Sequence, residues 1–225
     1  MKLSMLSFLL CCVMLAGFAQ SDKYAAVMQK NISALDAAKT PAELQDVAAS
    51  FERVGDAEKT QRLPYYYAAL AQTWIGWMPD VKDKDANAEQ IKKYLAKAEA
   101  IEKNAETYAV ENMVATQQMI VDPQTRWQTY GQQAAAALKE GLKLDPNNPR
   151  LYYLQGESLF GTPEQFGGGK AKAKPVFEKS IALFKAAQPK PLYPVWGQKH
   201  AEAQDEANDI ADCIVRPRNR ARLAA

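Results

Sequence analysis

The 225-residue chain carries 28 Lys and Arg against 26 Asp and Glu, a net charge of +2, with a single histidine and three cysteines. That balance excludes a general nucleic-acid binder, which would be strongly basic, and a lone histidine excludes a metal centre built on several histidines. Cys11 and Cys12 fall in the leader, so Cys213 has no internal partner and disulfides do not hold the fold.

Residues 1–19 read as a secretory signal. Lys2 gives the positive start, Met5 to Phe18 is an almost uninterrupted apolar run, and Gly17 and Ala19 place small residues before a cut ahead of Gln20. The run is shorter than the ~20 apolar residues of a transmembrane helix, and no second one follows. Leu10 stands where lipid attachment at Cys11 would want a small residue. The sequence therefore predicts an exported soluble chain, periplasmic by preference, with extracellular or envelope-associated placement as alternatives.

From Asp22 to Ala38, apolar residues such as Val27, Met28, Ile32 and Leu35 recur at three- and four-residue steps, the mark of an amphipathic helix. Thr40-Pro41-Ala42-Glu43 restarts helix, with Thr40 as N-cap and Glu43 closing a capping box. Gly55 is expected to end that helix in the left-handed cap conformation. Pro64 opens a third helix with Tyr67, Leu70, Ala71 and Trp74 on one face. Pro79 to Asp85 reads as a loop, and helices are expected over 88–103 and 105–121. Asp122-Pro123 breaks the chain before a helix that runs to Leu144. The segment 145–149, DPNNP, is the firmest boundary. Residues 149–184 then read as two apolar helices around a Gly-rich loop. A Pro-rich stretch, Gln188 to Pro194, precedes a last helix from about Val195 to Val215.

No segment alternates as a strand would. The expected fold is all-α: an α-solenoid of about four helical hairpins plus a C-terminal capping helix, none of which buries its apolar face alone. The domain occupies residues 20–215, and a basic tail with Arg216, Arg218, Arg220 and Arg222 fills 216–225.

Ala134, Leu138, Gly141 and Pro146 have the spacing of the second helix of a tetratricopeptide repeat (TPR). Tyr152 and Gly156 resemble the aromatic and small positions of the next first helix, and Ala173, Phe177 and Ser180 those of its partner. The excess at Thr162 to Gly169 makes the pattern TPR-like rather than regular. The segments NPR and TPEQFGGGK, with a later WG, also resemble secreted TPR-like proteins of Bacteroidetes. The resemblance implies a binding role in a concave groove. In that frame Tyr65, Gln72, Arg150, Tyr153 and Glu157 point into the groove, with Asn112, Thr116 and Gln117 as further members; Tyr and Arg are the residue types that dominate binding hot spots.

Gly167-Gly168-Gly169-Lys170 lacks the hydroxyl residue and preceding strand of a phosphate loop, Ala171 standing in the hydroxyl position. Two readings of it stay open. One is a turn allowed by glycine's freedom, with Phe166 tucked beneath it. The other is an anion site at the amides of the next helix. His200 reads as a surface residue. No nucleophile motif, metal site or cofactor is expected, so the chain is read as non-enzymatic. The leading expectation is a module that binds a protein or peptide partner in its groove, an envelope scaffold with the Arg tail as a tether being one form of it. The alternative is a small-molecule or glycan binder with an aromatic-lined pocket.

Overall fold

The computed structural model describes residues 22–79 and 81–207. The signal segment, Cys213 and the Arg tail lie outside the described residues. Among those residues every regular element is helical and none is a strand, so the fold is all-α. The chain divides into two compact units, one ending at Glu102 and the other beginning at Lys103.

The first unit holds α1 (22–37), α2 (Pro41–Glu58), α3 (Arg62–Trp77) and α4 (Lys84–Glu99). The Thr40 capping box forms as expected: Thr40 Oγ1 accepts from the Glu43 amide at 3.2 Å, and the Thr40 amide donates to Glu43 Oε2 at 3.1 Å. Gly55 does not end α2. The helix continues to Glu58, and Lys59, at φ 54°, takes the left-handed position and donates its amide to Gly55 O. Gly55 is small for a different reason: a Cβ there would lie 2.6 Å from the Tyr65 ring. α3 starts two residues before Pro64, and α4 starts at Lys84, capped by Asp83, rather than at Ala88.

α3 is the centre of this unit, packed against α2 on one side and α4 on the other. Tyr65, Tyr66 and Tyr67 are all buried, although helical geometry spreads three consecutive side chains over two-thirds of a turn. A helix with neighbours on both sides has little exposed face to give them. Tyr67 stacks on Phe51 of α2, and Tyr65 covers Gly55 and donates its hydroxyl to Asp56 at 2.8 Å. From α4, Lys97 reaches both Glu52 and Asp56. Hydrogen bonds from Tyr65 and then Lys97 hold the Asp56 carboxyl below its ordinary range.

The second unit begins with α5 (Ala105–Met119), capped by Asn104. Next come α6 (Pro123–Arg126), a π-helical turn (Trp127–Gly131) and α7 (Gln132–Leu144). They occupy the stretch expected as one helix, with a wider turn in its first third. After the 145–148 turn come α8 (Pro149–Gly161), a 3-10 turn (Glu164–Phe166), α9 (Lys170–Ala186) and α10, described over 198–207. α5 packs on α7, and α8 on α9.

Small residues set both approaches. A Cβ on Gly141 of α7 would meet Leu151 at 2.8 Å and Tyr108 at 3.0 Å, and one on Gly156 of α8 would lie 2.5 Å from the Phe177 ring of α9. Polar groups fix the register: Asn112 Nδ2 donates to Ala134 O at 2.9 Å, and Ser180 Oγ to Pro149 O at 2.8 Å.

Candidate functional site

The residues expected in a groove separate by burial. In the first unit Tyr65 and Gln72 are both buried. Gln72 Nε2 donates to Asn87 Oδ1 of α4 at 2.7 Å, which stitches α3 to α4. In the second unit Asn112 bridges to α7, and Gln117 is fully buried. None of these four presents its side chain to a groove; Tyr65, Gln72 and Asn112 join packed helices instead.

Thr116 is half-buried and donates its hydroxyl to Asn112 O, one turn back. Arg150 forms a bidentate pair with Glu106 of α5, at 2.7 Å and 2.6 Å. Its guanidinium lies 6.0 Å from the Phe184 ring centre and 5.8 Å from that of Trp196. Glu106 also accepts from Asn148 at 2.6 Å, so one carboxylate ties the start of α8 to α5. Arg150 is therefore an internal clamp rather than a hot spot facing outward.

Tyr153 and Glu157 are half-buried one turn apart on α8. The Tyr153 ring lies 6.4 Å from Phe177 and 6.3 Å from His200, which is exposed. Burial raises the Tyr153 hydroxyl above its ordinary range, with Glu157 adding to the effect, and burial alone raises the Glu157 carboxyl. Glu157 Oε1 is shielded from solvent with no hydrogen-bond partner.

The Gly-rich loop is a turn whose amides are already used. Those of Gly167, Gly168 and Gly169 donate to Glu164 O, Pro163 O and Leu159 O, at 2.9, 3.3 and 2.8 Å. An anion at this loop would find none of the three free. Lys170 lies over the Phe160 ring, and Lys172 donates to Gly167 O. Gly167 and Gly169 need their positive φ, 91° and 103°, whereas Gly168 has no room for a side chain, its Cβ position lying against Thr162 O. Phe166 is not tucked beneath the loop; it is 74% exposed.

The second unit also has a surface cleft. α7 and α8 flank an open cleft of about 520 Å³, within the ~300–1,000 Å³ of small-molecule sites. α7 contributes Ala135, Leu138, Lys139, Leu142 and Lys143, and α8 contributes Gln155, Ser158 and Leu159. Leu138 is buried, and Leu142 and Leu159 are half-buried, so the floor is aliphatic. Lys139 is exposed, and Lys143 pairs with Glu140 at 2.6 Å. None of the lining residues is a His, Cys, Met or Tyr. Sequence reading used Leu138 of this cleft only as a repeat position of α7. Among the described residues, no cluster of metal-ligating side chains exists, and no helix is long and apolar enough to cross a membrane.

Paired helices around small residues, with an open cleft in the second unit, define the class: an all-helical protein. No family model matches the chain, and no curated protein does. A solved structure does: the HusA haemophore from Porphyromonas gingivalis is 35% identical, with a TM-score of 0.76, over 84% of this chain and 94% of that one. The chain belongs to the family of that haemophore.

Proposed function

We propose that this protein is a non-enzymatic carrier that binds haem or a related tetrapyrrole in the α7–α8 cleft. The observation that carries the reading is the family: identity and coverage at that level extend to a protein named as a haemophore. The cleft supplies the place. Its aliphatic floor suits a macrocycle face, and lysines at one lip suit acid side chains. Haem iron is commonly held by His, Cys, Met or Tyr. None lines the cleft, so recognition here rests on the ring and its substituents.

This reading replaces the peptide groove expected from the sequence; of the small-molecule or glycan alternative it keeps the small molecule, in a cleft lined by aliphatic residues and lysines rather than aromatics. It keeps the TPR-like description for the pairs α5/α7 and α8/α9, which Gly141 and Gly156 support by close approach. It also keeps export through residues 1–19, and the Arg tail as an envelope tether, as parts of the proposal.

The test is a haem titration followed by absorbance, comparing the mature chain with a Leu142→Ser, Leu159→Ser variant. Burying a leucine contributes about 1.5–3 kcal/mol. Both leucines are already half-buried, so the variant should bind about tenfold more weakly while staying equally helical by circular dichroism. Unchanged affinity would remove the cleft as the site.

A further inference from the structure

The cleft is charged on one side only. α7 brings Lys139 and Lys143 to its lip, whereas the lining residues of α8 are Gln155, Ser158 and Leu159, all uncharged. The two lysines are four residues apart on one helix, which sets their backbones about 6 Å apart along the axis. Lys139 is exposed, and its charge is only the last of the influences on the neighbouring Glu140 carboxylate. Lys143 pairs with Glu140 at 2.6 Å, but both side chains are substantially exposed, at 58% and 43%. Such a pair contributes little and exchanges readily.

A flat ligand lying on the aliphatic floor meets these ammonium groups along one edge only. Two acid groups on the same edge would satisfy both; acids on opposite edges would leave one against Gln155 and Ser158. We infer that Lys139 and Lys143 form a carboxylate clamp, selecting a tetrapyrrole whose two acid side chains share one edge, and that Glu140 tempers the clamp by competing for Lys143. The inference rests on the reading of the cleft as a tetrapyrrole site and adds the chemistry of the ligand's edge and the orientation it imposes.

The experiment titrates an iron-free porphyrin diacid, with both propionates on one edge, and its dimethyl ester, in the same dilute detergent, by porphyrin fluorescence. Wild-type protein should prefer the diacid by about five- to tenfold at low salt, from two exposed charge pairs. The preference should fall as salt is raised. A Lys139→Gln, Lys143→Gln variant should bind both compounds equally and bind the ester as wild type does. A Glu140→Gln variant should gain affinity for the diacid alone. Equal binding of diacid and ester by wild type, or a preference that survives removal of both lysines, would overturn the clamp while leaving the cleft in place. Ester binding that the Leu142→Ser, Leu159→Ser variant leaves unchanged would instead overturn the cleft, and the clamp with it.

Discussion

Arg150 shows how one side chain can be legible in type and misread in role. Its neighbours in sequence, Pro149 and Tyr152, mark the start of a helix, and an Arg beside tyrosines resembles a binding hot spot. What the sequence does not carry is Glu106, 44 residues away, which takes both arms of the guanidinium. Both side chains are nearly buried, at 11% and 9% exposure. Removing one partner of such a pair leaves the other charge stranded, which costs about 3–5 kcal/mol. Arg150→Ala should therefore lower stability by about 3 kcal/mol in urea unfolding. Arg150→Lys should recover part of that, because it keeps the charge and loses the fork and the ring stacking. Glu157 makes a pH-dependent prediction. Burial raises its folded-state pKa above the reference value of 4.5, so the folded chain binds the proton more tightly than the unfolded one, and stability falls as pH rises through that window. Glu157→Gln should be more stable than wild type at pH 7, by about 1 kcal/mol. The advantage should vanish once the pH drops below the reference value, where the acid is protonated in both states. An advantage that is the same at low and neutral pH would contradict the buried-carboxylate account.

At the scale of the element, helix existence was legible and helix surroundings were not. Thr40, Pro41 and Glu43 specify a start within four residues, and the structure forms that cap with the expected bonds. Asn148, Pro149 and Pro123 mark boundaries equally well, because caps and prolines act locally. The π-helical turn at Trp127–Gly131 has no such local signature. Tyr67 was read as a core position and is one, whereas Tyr65 was misassigned to the groove because periodicity gives a direction around one helix and says nothing about how many neighbours that helix has. Gly55 was misread as a stop because a glycine at a helix end and a glycine under an aromatic ring look identical in sequence. Gly156 was read as a small position, and there spacing was enough: the Phe177 ring of α9 occupies the place of its missing side chain. Gly156→Ala should force that ring aside and destabilise the protein by about 1–3 kcal/mol, the usual cost of overpacking. A melting temperature at or above wild type would show that the α8–α9 contact is looser than described.

For the whole molecule, composition and pattern sufficed for an all-helical chain of paired helices. They did not suffice for the ligand, because an aliphatic stripe with lysines at its edge is also what an ordinary amphipathic helix looks like. Only the placement of Leu159 and Ser158 of α8 opposite Leu138 and Leu142 of α7 turns that stripe into a cleft. Relationship to a haemophore then gives the cleft a candidate occupant. The most direct test follows backbone amide shifts of isotopically labelled mature protein as an iron-free porphyrin is added, which avoids paramagnetic broadening. The account predicts the largest saturable shifts at Ala135, Leu138, Leu142 and Leu159, with the α3 amides around Tyr65 and Gln72 unmoved. Shifts confined to the first unit, or none at a porphyrin excess, would contradict it.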